Sequence, residues 1–179
     1  MIEEESYWRA DLIKFRSRLE KRYEKRRWSK RTLYEIEKEV FLSAFIVRKL
    51  IESGRVNRVV SGLNYRIKKY PIHPGAVPST NPKTFPSTYD LYHGRDEVLG
   101  IEKLCGQFIH SYILSPLIID RGHGAVFGLY VASDRESKKG LYYIPLVKII
   151  EIILSVASNR RIKLKLARNA DGTFKVKSV

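Results

Sequence analysis

The stretch SYILSPLIIDRGHGAVFGLYVASDRESKKGLYYIPL, residues 111–146, holds three apolar runs, Tyr112 to Ile119, Ala125 to Ala132 and Leu141 to Leu146. Asp-Arg-Gly-His-Gly and Ser-Asp-Arg-Glu-Ser-Lys-Lys-Gly separate them. Each run has strand length and β-forming residues, and each break is built of turn residues, the pattern of consecutive antiparallel strands. An antiparallel meander is therefore expected, and the remaining segments are read by how they cover such a sheet.

Downstream, Val147 to Ala157 is apolar except for Lys148, Glu151 and Ser155. Steps of three and four leave one thin polar stripe, so a largely buried helix is expected over the sheet. Ile162, Leu164 and Leu166 then alternate with Arg161, Lys163 and Lys165. After the turn residues Ala-Asp-Gly-Thr, Phe174 and Val176 alternate with Lys175 and Lys177. A hairpin with these five cations on one face follows from the period of two.

Upstream, Leu63, Tyr65 and Ile67 alternate with Asn64, Arg66 and Lys68, a half-buried strand that ends at Pro71. Five of the seven prolines lie between Pro71 and Pro86. That excludes a regular helix or central strand and predicts an extended arm or surface loop over 71–88. Asp96 offers an N-cap for a helix reaching Ser111, with Lys103, Gln107 and His110 on one face. Gly100 and Gly106 each weaken that helix by about 1 kcal/mol relative to Ala, so a start after Ile101, behind a short strand, is the alternative.

At the N-terminus, Trp8, Leu12, Phe15, Leu19 and Tyr23 mark one face of a basic amphipathic helix. A second helix begins near Ser29 or Thr32, where Thr32 and Glu35 have capping-box spacing, and runs to Gly54. The short link predicts an antiparallel helical hairpin. The fold class expected is α+β: this hairpin packed with a mainly antiparallel sheet of about five or six strands and two further helices. One domain is expected over 1–179, divided into the hairpin (1–54), the proline-rich arm (71–88) and a body (89–179) that ends in the cationic β-hairpin.

Cys105 is the only cysteine, so an intrachain disulfide and a cysteine-based zinc cluster are excluded. The opening Met-Ile-Glu-Glu-Glu lacks the basic lead and apolar run of a signal peptide, and Pro116, Lys148 and Glu151 break the longest apolar segments. A soluble cytoplasmic protein, with no integral membrane association, is expected.

The formal charge of +15 is concentrated. Lys14 to Arg31 holds ten Lys or Arg against Glu20 and Glu24, and Arg160 to Lys177 holds seven against Asp171. Such a field attracts a polyanion, because each neutralised phosphate releases counterions. Arg22, Arg26, Arg27, Lys30 and Arg31 are expected as one contact zone, and Arg161, Lys163, Lys165, Lys175 and Lys177 as another. Tyr65, Arg66 and Lys68 interleave a ring with cations as single-stranded sites do, which favours RNA slightly. Non-catalytic nucleic-acid binding, to RNA or DNA, is the reading of this pattern. A basic subunit docking an acidic protein or ribonucleoprotein is a rival, and peripheral membrane binding through Trp8, Phe15 and Trp28 a weaker one.

As an enzyme, the chain suits a metal-independent ribonuclease with His110 as the titrating group beside Gln107 and Lys103. Leu104 to Ser111 is slightly similar to the segment of HEPN ribonucleases in which an Arg precedes a helical His. Cys105, Gly106 and Gln107 stand at those positions without an Arg, so membership is not assigned. Asp120 with Glu136 and Lys138 mimics a metal-dependent nuclease, but the intervening strand would hold them more than about 25 Å apart. His123 has no partners at metal-site spacing, and no phosphate loop or nucleophile elbow is present, so no metal and no cofactor are expected.

Overall fold

The computed structural model describes residues 4–23, 28–79, 84–119, 125–159, 164–168 and 174–178. Five antiparallel strands form one sheet: β1 (Asn64–Tyr70), β2 (Arg95–Gly100), β3 (Ser111–Ile119), β4 (Ala125–Ser133) and β5 (Leu141–Pro145). Their spatial order is β2-β1-β5-β4-β3, so the expected meander β3-β4-β5 supplies one side and β1 with β2 the other. The C-terminal strands β6 (Leu164–Arg168) and β7 (Phe174–Ser178) pair only with each other, as a separate antiparallel ribbon.

The helices are α1 (Glu5–Tyr23), α2 (Lys30–Glu52), α3 (Arg58–Ser61), α4 (Ile101–Ile109), α5 (Asp134–Ser137) and α6 (Leu146–Ser158). Alternation along the strands sends Tyr65, Ile67, Leu99, Val131 and Ile144 into one core with Leu12, Val40, Leu104 and Val156 from the long helices. Ser29, rather than Thr32, caps α2, its Oγ accepting from the Thr32 N–H at 3.1 Å. The Asp96 segment resolves as its alternative, a strand followed by a helix. Leu99 pairs with Tyr65 in the sheet and α4 starts only at Ile101.

The opposite sheet face is covered by the proline-rich arm. Its ends close on each other through His73 N–H to Thr88 O and Asp90 N–H to Pro71 O, at 3.0 and 2.9 Å. Phe85 and Tyr89 are thereby buried against Ile113, Ala132 and Leu141 in a second, smaller core. The Tyr89 hydroxyl donates to Ser137 O at 2.8 Å, which pins the arm to α5. The segment that resists regular structure thus acts as a lid on the apolar outer surface of the meander.

Arg9 is the buried link between layers, only 3% exposed. Its guanidinium donates to the Val156 and Ala157 carbonyls in the last turn of α6 and to Arg55 O at 2.8 Å. Terminal helix carbonyls lack intrahelical donors and carry the negative end of the helix dipole, so the buried charge and the helix end satisfy each other. Arg9→Met should fill similar space yet lower the unfolding free energy by about 2–4 kcal/mol. Urea denaturation checks this; a loss under about 0.5 kcal/mol would show that the carbonyls find other donors.

Candidate functional site

Two acids of α2, Glu35 and Glu39, engage part of the first basic block. Arg22 lies in the α1–α2 interface, donating to Glu39 and, at 2.8 Å, to Glu35. Arg18 reaches Glu39 at 3.6 Å, and within α1 Arg16 pairs with Glu20 at 2.8 Å. Burial raises the Glu39 carboxyl above its ordinary value, with Arg22 opposing that shift. Arg31 is 88% exposed and bonds Glu35 at 3.3 Å, and Lys30 is exposed. Arg26 and Arg27 lie outside the described residues. Arg22 is therefore a clasp between helices rather than an open contact.

On β1 the structure separates residues that the sequence groups. Tyr65 points into the helical core, 8% exposed, so its ring offers no stacking surface, and burial raises its phenol pKa. Arg66 and Lys68 point the other way and are exposed. Lys68 pairs with Asp96 at 2.7 Å, whereas Arg66 forms no ion pair with a described residue. The ring that faces them comes from elsewhere: the register aligns Lys68 with Tyr143 and Tyr143 with Tyr130 across β1, β5 and β4.

Tyr143 and Tyr130 are half-buried, with ring centroids 5.6 Å apart, and Tyr70 lies 6.0 Å from Tyr130. Glycine permits this arrangement: a Cβ on Gly128 would stand 2.6 Å from the Tyr143 ring and 2.5 Å from Ile144 O. Burial pushes the Tyr130 phenol up to about 12 and raises that of Tyr143, so both rings are neutral at physiological pH. Tyr130 also packs edge-on against Phe85 of the arm at 6.2 Å, so the ring that stands next to Lys68 on the outer face is that of Tyr143.

The three residues of the ribonuclease reading do meet. Lys103, Gln107 and His110 line one open cleft of 690 Å³ together with Arg48 of α2 and Arg135 of α5. Lys103 and His110 are exposed, whereas Gln107 is buried and its Oε1 accepts the Ser133 N–H at 3.1 Å. Arg48 and Arg135 lie far from α4 in sequence, and only the packing of α2 and α5 around it could reveal them.

On the C-terminal ribbon, the register sets Lys165 opposite Lys177 and Lys175 opposite Ala167, so these three lysine positions share one face. Arg161, Lys163, Asp120 and His123 lie outside the described residues. Among the described residues no group of three His, Cys, Asp or Glu is placed to hold a metal ion, and no helix is long and apolar enough to cross a membrane. Comparison with protein-family models, curated proteins and solved structures finds no match to this chain.

A compact ion cluster supports the sheet end beside α5. Glu136 accepts from Lys69 at 3.0 Å, Lys139 at 3.2 Å and the Tyr142 hydroxyl at 3.2 Å. Burial works against its ionisation, but the Lys69 and Lys139 hydrogen bonds and charge outweigh it and hold the carboxyl down at about 2. A depressed carboxylate stabilises the fold above its unfolded pKa and loses that contribution as pH falls through the folded value. Glu136→Gln should therefore cost about 2 kcal/mol at neutral pH, with the deficit shrinking as the pH falls from 4.5 towards 2. Chemical denaturation across that range checks it; a constant deficit would reject the electrostatic cause.

Proposed function

We propose that this protein binds nucleic acid, with single-stranded RNA preferred to DNA. The observation that carries the reading is the outer sheet face, where Lys68 stands opposite Tyr143, Tyr130 follows on the next strand, and Arg66 lies two residues along β1 from Lys68. Unpaired bases stack on exposed ring surface, and neighbouring cations hold the phosphates. Lys30 and Arg31 at the helical hairpin, together with the lysines of the ribbon, extend the positive field that draws in a strand.

A second reading is favoured by the meeting of His110, Lys103 and Gln107 in one cleft. There His110 would accept the 2′-hydroxyl proton while that oxygen attacks the adjacent phosphorus. The P–O5′ bond breaks, a 2′,3′-cyclic phosphate remains, and solvent protonates the departing 5′-oxygen. Lys103 would offset charge on the phosphorane.

Fluorescence anisotropy with single-stranded RNA, single-stranded DNA and duplex DNA across a salt series tests both readings. If about six phosphates of a single strand are engaged, log affinity should fall against log salt with a slope near about −4. Arg66→Ala and Tyr143→Leu should each weaken RNA binding about fivefold or more. A slope near zero, or an affinity indifferent to both substitutions, would reject the outer face. A partner retained after nuclease treatment, without RNA binding, would point instead to an acidic protein. RNA shortened in EDTA by the native chain but not by His110→Ala would establish cleavage.

A further inference from the structure

The cleft between α2, α4 and α5 opens on the helical layer, whereas the tyrosine row lies on the opposite face of the sheet. Two backbone ties shape its floor. Ser133 N–H donates to the buried Gln107 side chain, and Asp134 N–H donates to His110 O at 3.2 Å. The last turn of α4 and the start of α5 are thereby held in one geometry, with exposed side chains projecting from a fixed base.

Several donors in this cleft lack an acceptor among the described residues. Arg48 is anchored through Nε to Glu52 at 2.7 Å, and its Nη1 would stand 3.7 Å from a Cβ at Gly106, so the guanidinium lies along α4 where no side chain intervenes. Its terminal nitrogens have no acceptor among the described residues. Lys103 and Arg135 form no ion pair with a described carboxylate. The Gln107 oxygen accepts from Ser133, and its amide nitrogen is the donor that remains. Together these donors suit an oxyanion with several oxygens.

Glu102 and Asp134 line the same cleft, and neither is paired with a described cation. A pure phosphate site gains nothing from carboxylates, but a ligand that bears hydroxyls beside its phosphate does, because each carboxylate accepts their hydrogen bonds. The lining contains no Phe, Tyr or Trp, and the His110 imidazole is its one ring, which is a small platform for a base. The volume of 690 Å³ suits a small polar ligand.

We propose that this cleft binds a ribose-phosphate unit, with Arg48 and Arg135 on the phosphate and Glu102 and Asp134 on the sugar hydroxyls. The unit comes either from an RNA strand or from a free sugar phosphate, and both present the same chemistry. Where the source is RNA, the carboxylates provide a contact to the 2′-hydroxyl that DNA cannot make. The proposal goes beyond the outer-face reading and is carried by different residues.

Isothermal titration calorimetry on the full chain tests it, with ribose 5-phosphate, 2-deoxyribose 5-phosphate, ribose and inorganic phosphate as probes. Ribose 5-phosphate should bind about tenfold or more tighter than ribose or phosphate alone, and several-fold tighter than its deoxy analogue. Arg48→Gln and the exposed Arg135→Gln should each weaken it about tenfold, and Glu102→Gln should narrow the gap between the two sugars. Circular dichroism confirms that each variant is folded. Arg66→Ala and Tyr143→Leu should leave sugar-phosphate binding unchanged, which separates this inference from the outer face. Competition by single-stranded RNA would identify the strand as the source, and RNA binding without competition would identify the free sugar phosphate. Absence of heat with ribose 5-phosphate at millimolar concentration, or equal binding by native chain, Arg48→Gln and Arg135→Gln, would overturn the proposal.

Discussion

A guanidinium removed from water must recover its hydrogen bonds within the protein, and a helix that ends inside a protein must find donors for its last carbonyls. Arg9 answers both requirements at once by binding the end of α6. Because α6 lies directly on the sheet, this contact fixes where α1 crosses the domain. The remaining helices are placed relative to that pair: Arg22 fastens α2 to α1 through Glu35 and Glu39, and α2 closes over α4 through the shared core. The helical layer is therefore held by apolar burial together with two arginines whose charges are satisfied internally.

The sheet has a second apolar face, and among the described residues no long helix lies over it. The arm does so with little regular structure, placing Phe85 and Tyr89 where helix side chains would otherwise lie. Proline suits this task because its restricted backbone lowers the entropy lost when an irregular segment is ordered. Coverage is partial. The rings of Tyr70 and Tyr143 lie over Gly94 and Gly128, where an added Cβ would stand 2.5 and 2.6 Å from them. Beside these rings Arg66 remains exposed on the outer face.

Most of the architecture could be read in the sequence because it depends on local periodicity. The spacing of Leu12, Phe15 and Leu19, the three runs of the meander and the apolar surface of α6 each describe one element and which side of it is buried. The Asp96 segment was ambiguous for a physical reason: Val98, Ile101, Cys105 and Phe108 fit a helical face, yet pairing with β1 claims the residues before Ile101. Tyr65 shows the corresponding limit for sites, since alternation placed it on the apolar side while composition suggested a stacking role, and burial decided between them. Lys103, Gln107 and His110 were legible as one helical face. That they share a cleft with Arg48 and Arg135 depends on tertiary packing, which no single period encodes.

Charge counting along the chain also misplaces the field. Within Lys14 to Arg31, the acids that pair with Arg18, Arg22 and Arg31 are Glu35 and Glu39 of α2. Folding turns part of that excess into internal pairs that an incoming anion would have to break. Among the described cations still open to a ligand are Arg66 on the outer face and Lys103 and Arg135 at the cleft, none of which forms an ion pair with a described residue. Desolvating a cation already engaged by Glu39 gains little, whereas neutralising an unpaired one relieves self-repulsion in a chain of charge +15. Affinity for a polyanion should therefore follow the unpaired cations more closely than the density of Lys and Arg along the sequence.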